Sequence, residues 1–241
     1  MKIVFAGTRG YIESRNRRHF MHTALDVSYL SDTVRIDCGA DWLEQTDSIQ
    51  AAAIAITHAH PDHAEGLKNG APCPVYATED AWETMASYPI EERRKVNLRE
   101  PFQIGKIRFE AFPVIHSTRA PAVGYRVAAG RVSIFYVPDV VYIENRQDAL
   151  SGVHLYIGDG ATLTQSFVRK VGGSLIGHAP VQTQLTWCRK EGVPRAVISH
   201  CGSEIVEGDE RTLGAKLRKM AEERNVEAQI AYDGMEMVLR R

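Results

Sequence analysis

Four cysteines occur in the 241 residues, Cys38, Cys73, Cys188 and Cys201, and no two are spaced as C-x-x-C. That scarcity excludes a cysteine-rich structural zinc site and a disulfide frame, so reduced thiols in a cytoplasmic enzyme are expected. The chain also lacks an excess of either charge, with 29 Lys and Arg against 30 Asp and Glu and a formal net charge of −1. No global basic field therefore announces a nucleic-acid partner, although a local patch can still supply one. No apolar run reaches the roughly 18 residues of a membrane span, and Met1 leads straight into a strand pattern too short for a signal segment. Neither a linker composition nor an internal repeat divides the sequence, so residues 1–241 read as one domain. The 44% of hydrophobic and 24% of charged residues fit a chain that buries a core of its own.

Against this plain background, His58, His60, Asp62 and His63 crowd four metal-ligand types into six residues. They follow Ala52 to Thr57, an apolar run of the kind that forms a buried strand. Neutral imidazoles and carboxylates suit zinc, manganese or iron better than calcium. His58 and His60 can face one ion while Asp62 and His63, past the turn, reach a neighbour. The remaining ligands share a pattern in which a short apolar strand ends in His or Asp. Asp37 closes 33–36, His116 closes 112–115, Asp139 follows 133–138, and His200 follows 196–199. In layered α/β folds that strand edge is where chemistry gathers. Together these residues complete a two-ion set: His58, His60 and His116 for one, Asp62, His63 and His200 for the other, and Asp139 between them.

The ordered set Asp37, His58-x-His60-x-Asp62-His63, His116, Asp139, His200 resembles the metallo-β-lactamase-fold hydrolases, and the resemblance covers nearly the whole chain. It implies an α/β fold, a four-layer αββα sandwich with the metals at one edge of two sheets. It further implies that Asp139 bridges the ions and that Asp37 lies behind the ligands, orienting part of the histidine turn. Strands are expected at 2–6, 23–29, 33–37, 52–57, 75–77, 107–114, 123–128, 131–137, 154–157, 174–176, 195–199, 228–232 and 235–239. Helices are expected at 62–68, 80–87, 182–191 and 209–224, with a further helix between Asp139 and the strand at 154–157.

Two divalent ions, zinc first and manganese or iron nearly as well, would acidify a water and stabilise charge on the attacked group. That suits hydrolysis at phosphorus or at a carbonyl, with Asp62 as both ligand and proton acceptor. The loop from Gly7 to His19 is dense in arginine, the side chain best matched to phosphate. In relatives that cut phosphodiesters, such as tRNA 3′-end processing endonucleases and cyclic-phosphate phosphodiesterases, a similar loop carries an Arg-Asn pair. Arg15 and Arg18 are thus the candidate substrate contacts. His116 through Arg119, followed by Gly124-Tyr125, resembles the phosphodiesterase and lactonase branches. Gly177-His178 resembles a motif that sets a histidine beside the site, where His178 would protonate the leaving oxygen. Ala179 departs from the endonucleases, which carry a hydroxyl residue there, and no protruding glycine-rich basic arm is evident. Asp159 reads as a turn-forming aspartate, and His19, His22 and His154 as ordinary residues, with His19 near the entrance.

The favoured expectation is a phosphodiesterase or nuclease acting on RNA, DNA or a small nucleotide. The alternative is a lactone, ester or thioester hydrolase. A scaffold without activity is the third reading, and its usual sign, lost ligands, is missing. The partners are a substrate of one of these kinds, with nucleic acid among them and no membrane. Dimerisation is common in phosphodiesterase-like members and makes a homodimer the expected assembly.

Overall fold

β-Branched and aromatic residues at alternating positions build two sheets that face each other across a shared apolar layer. The computed structural model describes residues 1–240. In chain order the strands are β1 Lys2–Gly7, β2 Ala24–Tyr29, β3 Asp32–Ile36, β4 Ala53–Ala55, β5 Val75–Ala77 and β6 Arg93–Lys95. They continue with β7 Phe102–Ile104, β8 Ile107–Ile115, β9 Ala122–Ala129, β10 Val132–Tyr136, β11 Tyr142–Ile143 and β12 Leu155–Asp159. The last five are β13 Arg169–Val171, β14 Ser174–Ile176, β15 Arg195–Ser199, β16 Glu227–Ile230 and β17 Met235–Val238. The α-helices are α1 Pro61–Ala64, α2 Glu79–Thr84, α3 Arg146–Leu150, α4 Val181–Glu191, α5 Ser203–Val206 and α6 Glu210–Glu222.

The first sheet runs in the order β17-β1-β2-β3-β4-β5-β6, and the second runs β11-β8-β9-β10-β12-β15-β16 with β7 paired to β8. In each sheet antiparallel strands give way to a parallel set, β3 to β6 in the first and β10, β12, β15 and β16 in the second. Phe5, Leu25, Val34, Phe109, Val127, Ile134, Ile157 and Val197 fill the layer between the sheets. Ile54, Leu67, Trp82 and Met85 pack beneath α1 and α2 on the outer face of the first sheet. Leu150, Leu185, Leu217 and Met220 do the same under α3, α4 and α6 on the second. Three apolar layers separate four structural ones, which is the αββα sandwich.

Most expected elements form within a residue or two of their expected bounds. The apolar run 52–57 keeps only β4 as strand, and the helix expected at 62–68 is one α-turn followed by a 3-10 turn, Glu65–Leu67. β6, with three exposed basic residues, and β13, equally exposed, have no apolar alternation to announce them. They exist because the neighbouring strands β5 and β14 offer unpaired backbone. No helix among the described residues is long and apolar enough to cross a membrane.

Candidate metal centre

The strands that end in His or Asp all run toward the same edge of the sandwich. β3 delivers Asp37 with φ +66°, and β15 delivers His200 with φ +51°. Both are left-handed turns that Asp and His tolerate better than most residues, and strained backbone of this kind gathers at functional sites. The Tyr125 hydroxyl donates to the Ile56 carbonyl at 2.9 Å and steadies the chain just before Thr57 and His58. Gly124 and Tyr125, read from sequence as a branch signature, therefore have packing roles as well: a Cβ on Gly124 would lie 2.6 Å from the Phe135 ring.

Ring nitrogens converge at the end of β4. His58 Nε2 lies 3.0 Å from His60 Nδ1, which is 3.3 Å from His116 Nε2. Beside this triad, Asp62 Oδ2 stands 3.2 Å from His63 Nε2 and 3.1 Å from His200 Nε2. Asp139 faces both groups: Oδ2 is 2.8 Å from His63 Nε2 and 3.3 Å from His200 Nε2, while Oδ1 is 3.5 Å from His116 Nε2. The geometry thus gathers His58, His60 and His116 on one side, and Asp62, His63 and His200 on the other.

These atoms fit cations better than they fit one another. His63 Nε2 and Asp139 Oδ2 are buried without a hydrogen-bond partner although they are 2.8 Å apart. Buried polar atoms left so are rare, and lone pairs aimed at a common point beside both call for a cation there. The outer nitrogens are already committed. His63 Nδ1 lies 2.9 Å from Asp37 Oδ2, and His116 Nδ1 lies 3.0 Å from the Gly177 carbonyl. Each such bond fixes a tautomer that turns the other nitrogen's lone pair inward. Asp37 is itself held by the Thr57 backbone N–H at 2.8 Å and by the Thr57 hydroxyl. Burial lowers the His58 and His116 imidazoles, and takes His60 down to about 4, so all three remain neutral donors at ordinary pH.

His178 and Asp159 stand at the rim. His178 Nδ1 is 2.8 Å from Asp159 Oδ2, and 3.7 Å from Asp139 Oδ1. The Asp159 carboxylate accepts from the backbone N–H of Val140 at 3.0 Å and of Ala161 at 2.9 Å. Asp159 therefore has the turn role read from sequence and a second one, as the partner of His178. Against the cost of its own burial, Asp159 raises the His178 imidazole above its ordinary value. His178 is 23% exposed by side chain, whereas His58 and His63 are fully buried, so approach to the cluster is from the His60 and His178 side.

The arginine loop begins at the cluster and leads away from it. Gly10 donates to the Cys201 carbonyl at 3.0 Å, and a Cβ on Gly10 would meet the His200 ring at 3.0 Å. Arg9 is buried and paired with Asp41. Asp41 also holds Arg15 at 3.2 Å and the His22 backbone N–H at 2.8 Å. Arg18 pairs with Glu210 at 2.9 Å and stacks 4.1 Å over the Tyr232 ring. Neither Arg15 nor Arg18 bonds to the histidine cluster, and Arg119 is exposed. Sequence reading passed over Asp41, whose only signal is its place four residues after Asp37. It also passed over β13, which pairs with the expected strand at 174–176 to form the β13–β14 hairpin next to His178: Gly177 N–H donates to the His116 carbonyl at 2.9 Å, and Phe167 N–H to that of His178 at 3.3 Å. His19 and His154 have local partners, the Thr8 hydroxyl and Ser133.

Comparison with known proteins places this geometry. The YhfI protein of Bacillus subtilis, described as a metallo-beta-lactamase fold protein, superposes with a TM-score of 0.77 at 16% identity, covering 98% of each chain. The short form of human tRNase Z matches at TM-score 0.68 and 19% identity over 100% of both chains. An isothiocyanate hydrolase from Delia radicum gut bacteria matches at 0.70 and 16%, again over 100% of both. At such identities the likeness is one of fold. No curated protein matches by sequence. The family model of the beta-lactamase superfamily domain matches residues 32–201, from β3 through His200, and the chain belongs to that superfamily, whose fold is that of metal-dependent hydrolases.

Proposed function

We propose that this protein is a phosphodiesterase that holds two divalent ions, zinc foremost. His58, His60 and His116 would hold one and Asp62, His63 and His200 the other, with Asp139 placed between the two groups. When bound, such ions lower the pKa of a water and neutralise charge developing on the attacked group. The observation that carries the phosphodiester reading is the Asp159–His178 pair at the open rim of the cluster, 2.8 Å apart. Cleaving a P–O bond sheds an alkoxide that needs a proton. With Nδ1–H donating to Asp159, whose charge favours the protonated ring, His178 as an imidazolium presents Nε2–H as donor on the exposed side of the cluster. Asp62, ionised between His63 and His200, accepts the proton released by the attacking water. Arg15, half-exposed beside Arg9, supplies positive charge for a non-bridging oxygen of the substrate. The tRNA-cutting neighbour supports this reading, whereas the isothiocyanate hydrolase shows that the fold also serves uncharged substrates.

The test is a paired assay on zinc-loaded protein with bis-(p-nitrophenyl) phosphate, an uncharged ester and a lactone. Phosphodiester turnover should vanish in His63→Ala, and His178→Ala should lower kcat by about 10²- to 10⁴-fold with a small change in KM. Turnover of the ester or lactone alone would transfer the site to the small-molecule hydrolases. Full activity in His178→Ala would remove it from the mechanism.

A further inference from the structure

On the far side of the arginine loop lies a cavity of about 810 Å³, walled by that loop, by α6 and by the chain after β16. Arg17, Arg18, Arg211 and Arg218 line it, and so do Asp209 and Glu210. The two carboxylates are spoken for. Glu210 pairs with Arg18, and Asp209 caps α6 by accepting from the Thr212 backbone N–H at 2.8 Å. Among the described residues Arg17, Arg211 and Arg218 form no ion pair, so three arginines line one cavity with no carboxylate bound to them. The Arg18 guanidinium carbon sits over the Tyr232 ring, 4.1 Å from its centroid, and together they offer planar groups of the kind on which a base stacks. Ile205, Leu213 and Ile230 supply an apolar lining.

A second observation comes from the helix itself. Gly214 sits inside the 13-residue α6, also on the cavity wall, three residues after Arg211 and four before Arg218. Glycine is among the worst residues for a helix interior. Here its φ is not positive, and an added Cβ would meet only the Arg218 Nη1, at 3.3 Å. Helix geometry does not ask for glycine at this position. What the missing side chain leaves is room between the two arginines.

We infer that this cavity binds a nucleotide unit, its phosphate held by Arg17, Arg211 and Arg218 and its base stacked on the Arg18–Tyr232 pair. Guanidinium groups match phosphate by paired N–H donors. The unit can be a free nucleotide or one residue of a nucleic-acid chain whose scissile bond lies at the metal centre, since the loop that forms one wall packs against the His200 ring at Gly10.

Calorimetric titration of the wild-type protein with 5′-AMP, and separately with a ten-residue single-stranded oligonucleotide, tests this without turnover. A failure here is therefore distinct from a failure of the phosphodiesterase reading. Saturable binding is expected for at least one probe, weakened tenfold or more in the Arg211→Ala, Arg218→Ala double variant. Adenosine, lacking the phosphate, should bind at least tenfold more weakly than 5′-AMP. Gly214→Ala should raise Tm while weakening binding, which a misfolded variant could not do. Binding of 5′-AMP on its own identifies a free-nucleotide site, and binding of the oligonucleotide alone identifies a chain subsite. Absence of saturable binding for both probes, or equal binding by the double variant, overturns the inference.

Discussion

Asp37 does not reach the point on which the histidine nitrogens converge, yet His63 is aimed there by it. The carboxylate holds Nδ1 at 2.9 Å from a position where Thr57 holds the carboxylate. Asp37→Asn keeps a residue type that tolerates the left-handed backbone but replaces the acceptor oxygens with an amide. Metal affinity should fall about 10- to 100-fold, read by competition with a chromogenic chelator, and unchanged affinity would deny Asp37 its orienting role. Charge at buried histidines sets the acid response as well. Burial, helped by Arg18, takes His19 down to about 4 from an ordinary value near 6.5. Below pH about 6.5 the unfolded chain takes up a proton there that the folded chain refuses until pH about 4, so stability declines as pH falls through that window. Urea unfolding between pH 7 and 4.5 should show the decline, with a slope shallower by about one proton in His19→Asn. Identical slopes would show that His19 titrates alike in both states.

At the scale of elements, the site is a set of strand ends, and each end was legible because an apolar run stopped at a His or Asp. The β13–β14 hairpin was legible only in its second strand, at 174–176, since β13 is exposed on every residue and carries no alternation. Its position depends on Gly177, at φ +107°, where an added Cβ would lie 2.1 Å from the Phe167 carbonyl oxygen. Gly177→Ala must shift backbone that bonds to both His116 and His178. We expect a loss of about 1–3 kcal/mol in chemical denaturation together with reduced activity. A variant as stable and as active as the parent would mean that the hairpin is free to relax. The arginine loop divides likewise. Its composition announced phosphate chemistry, but composition could not say that Arg9 would be buried against Asp41 while Arg18 turned to Tyr232.

For the molecule as a whole, the proposed ligands are shared between the sheets. His58, His60, Asp62 and His63 follow β4 in the first, and His116, Asp139 and His200 follow β8, β10 and β15 in the second. Ions held as proposed would tie the two sheets together, so metal binding should add to folding stability. Free zinc at a hundred times its dissociation constant contributes about 2.7 kcal/mol, and a chelator should lower Tm accordingly, with zinc restoring it. A Tm indifferent to chelation would sink the proposed ion binding. The sequence by itself determined the candidate ligand types and their order, because strand-forming runs and metal-binding side chains are local properties of the chain, and the αββα layering followed from the family resemblance which that order carries. Only the tertiary structure decided that Asp159 meets His178, that Asp41 gathers Arg9, Arg15 and His22, and that Arg18 faces α6 instead of the histidines. Those partners lie 19 residues apart or more in the sequence, and the pairing of distant charges is settled by which strand ends and helices the packed sheets bring side by side.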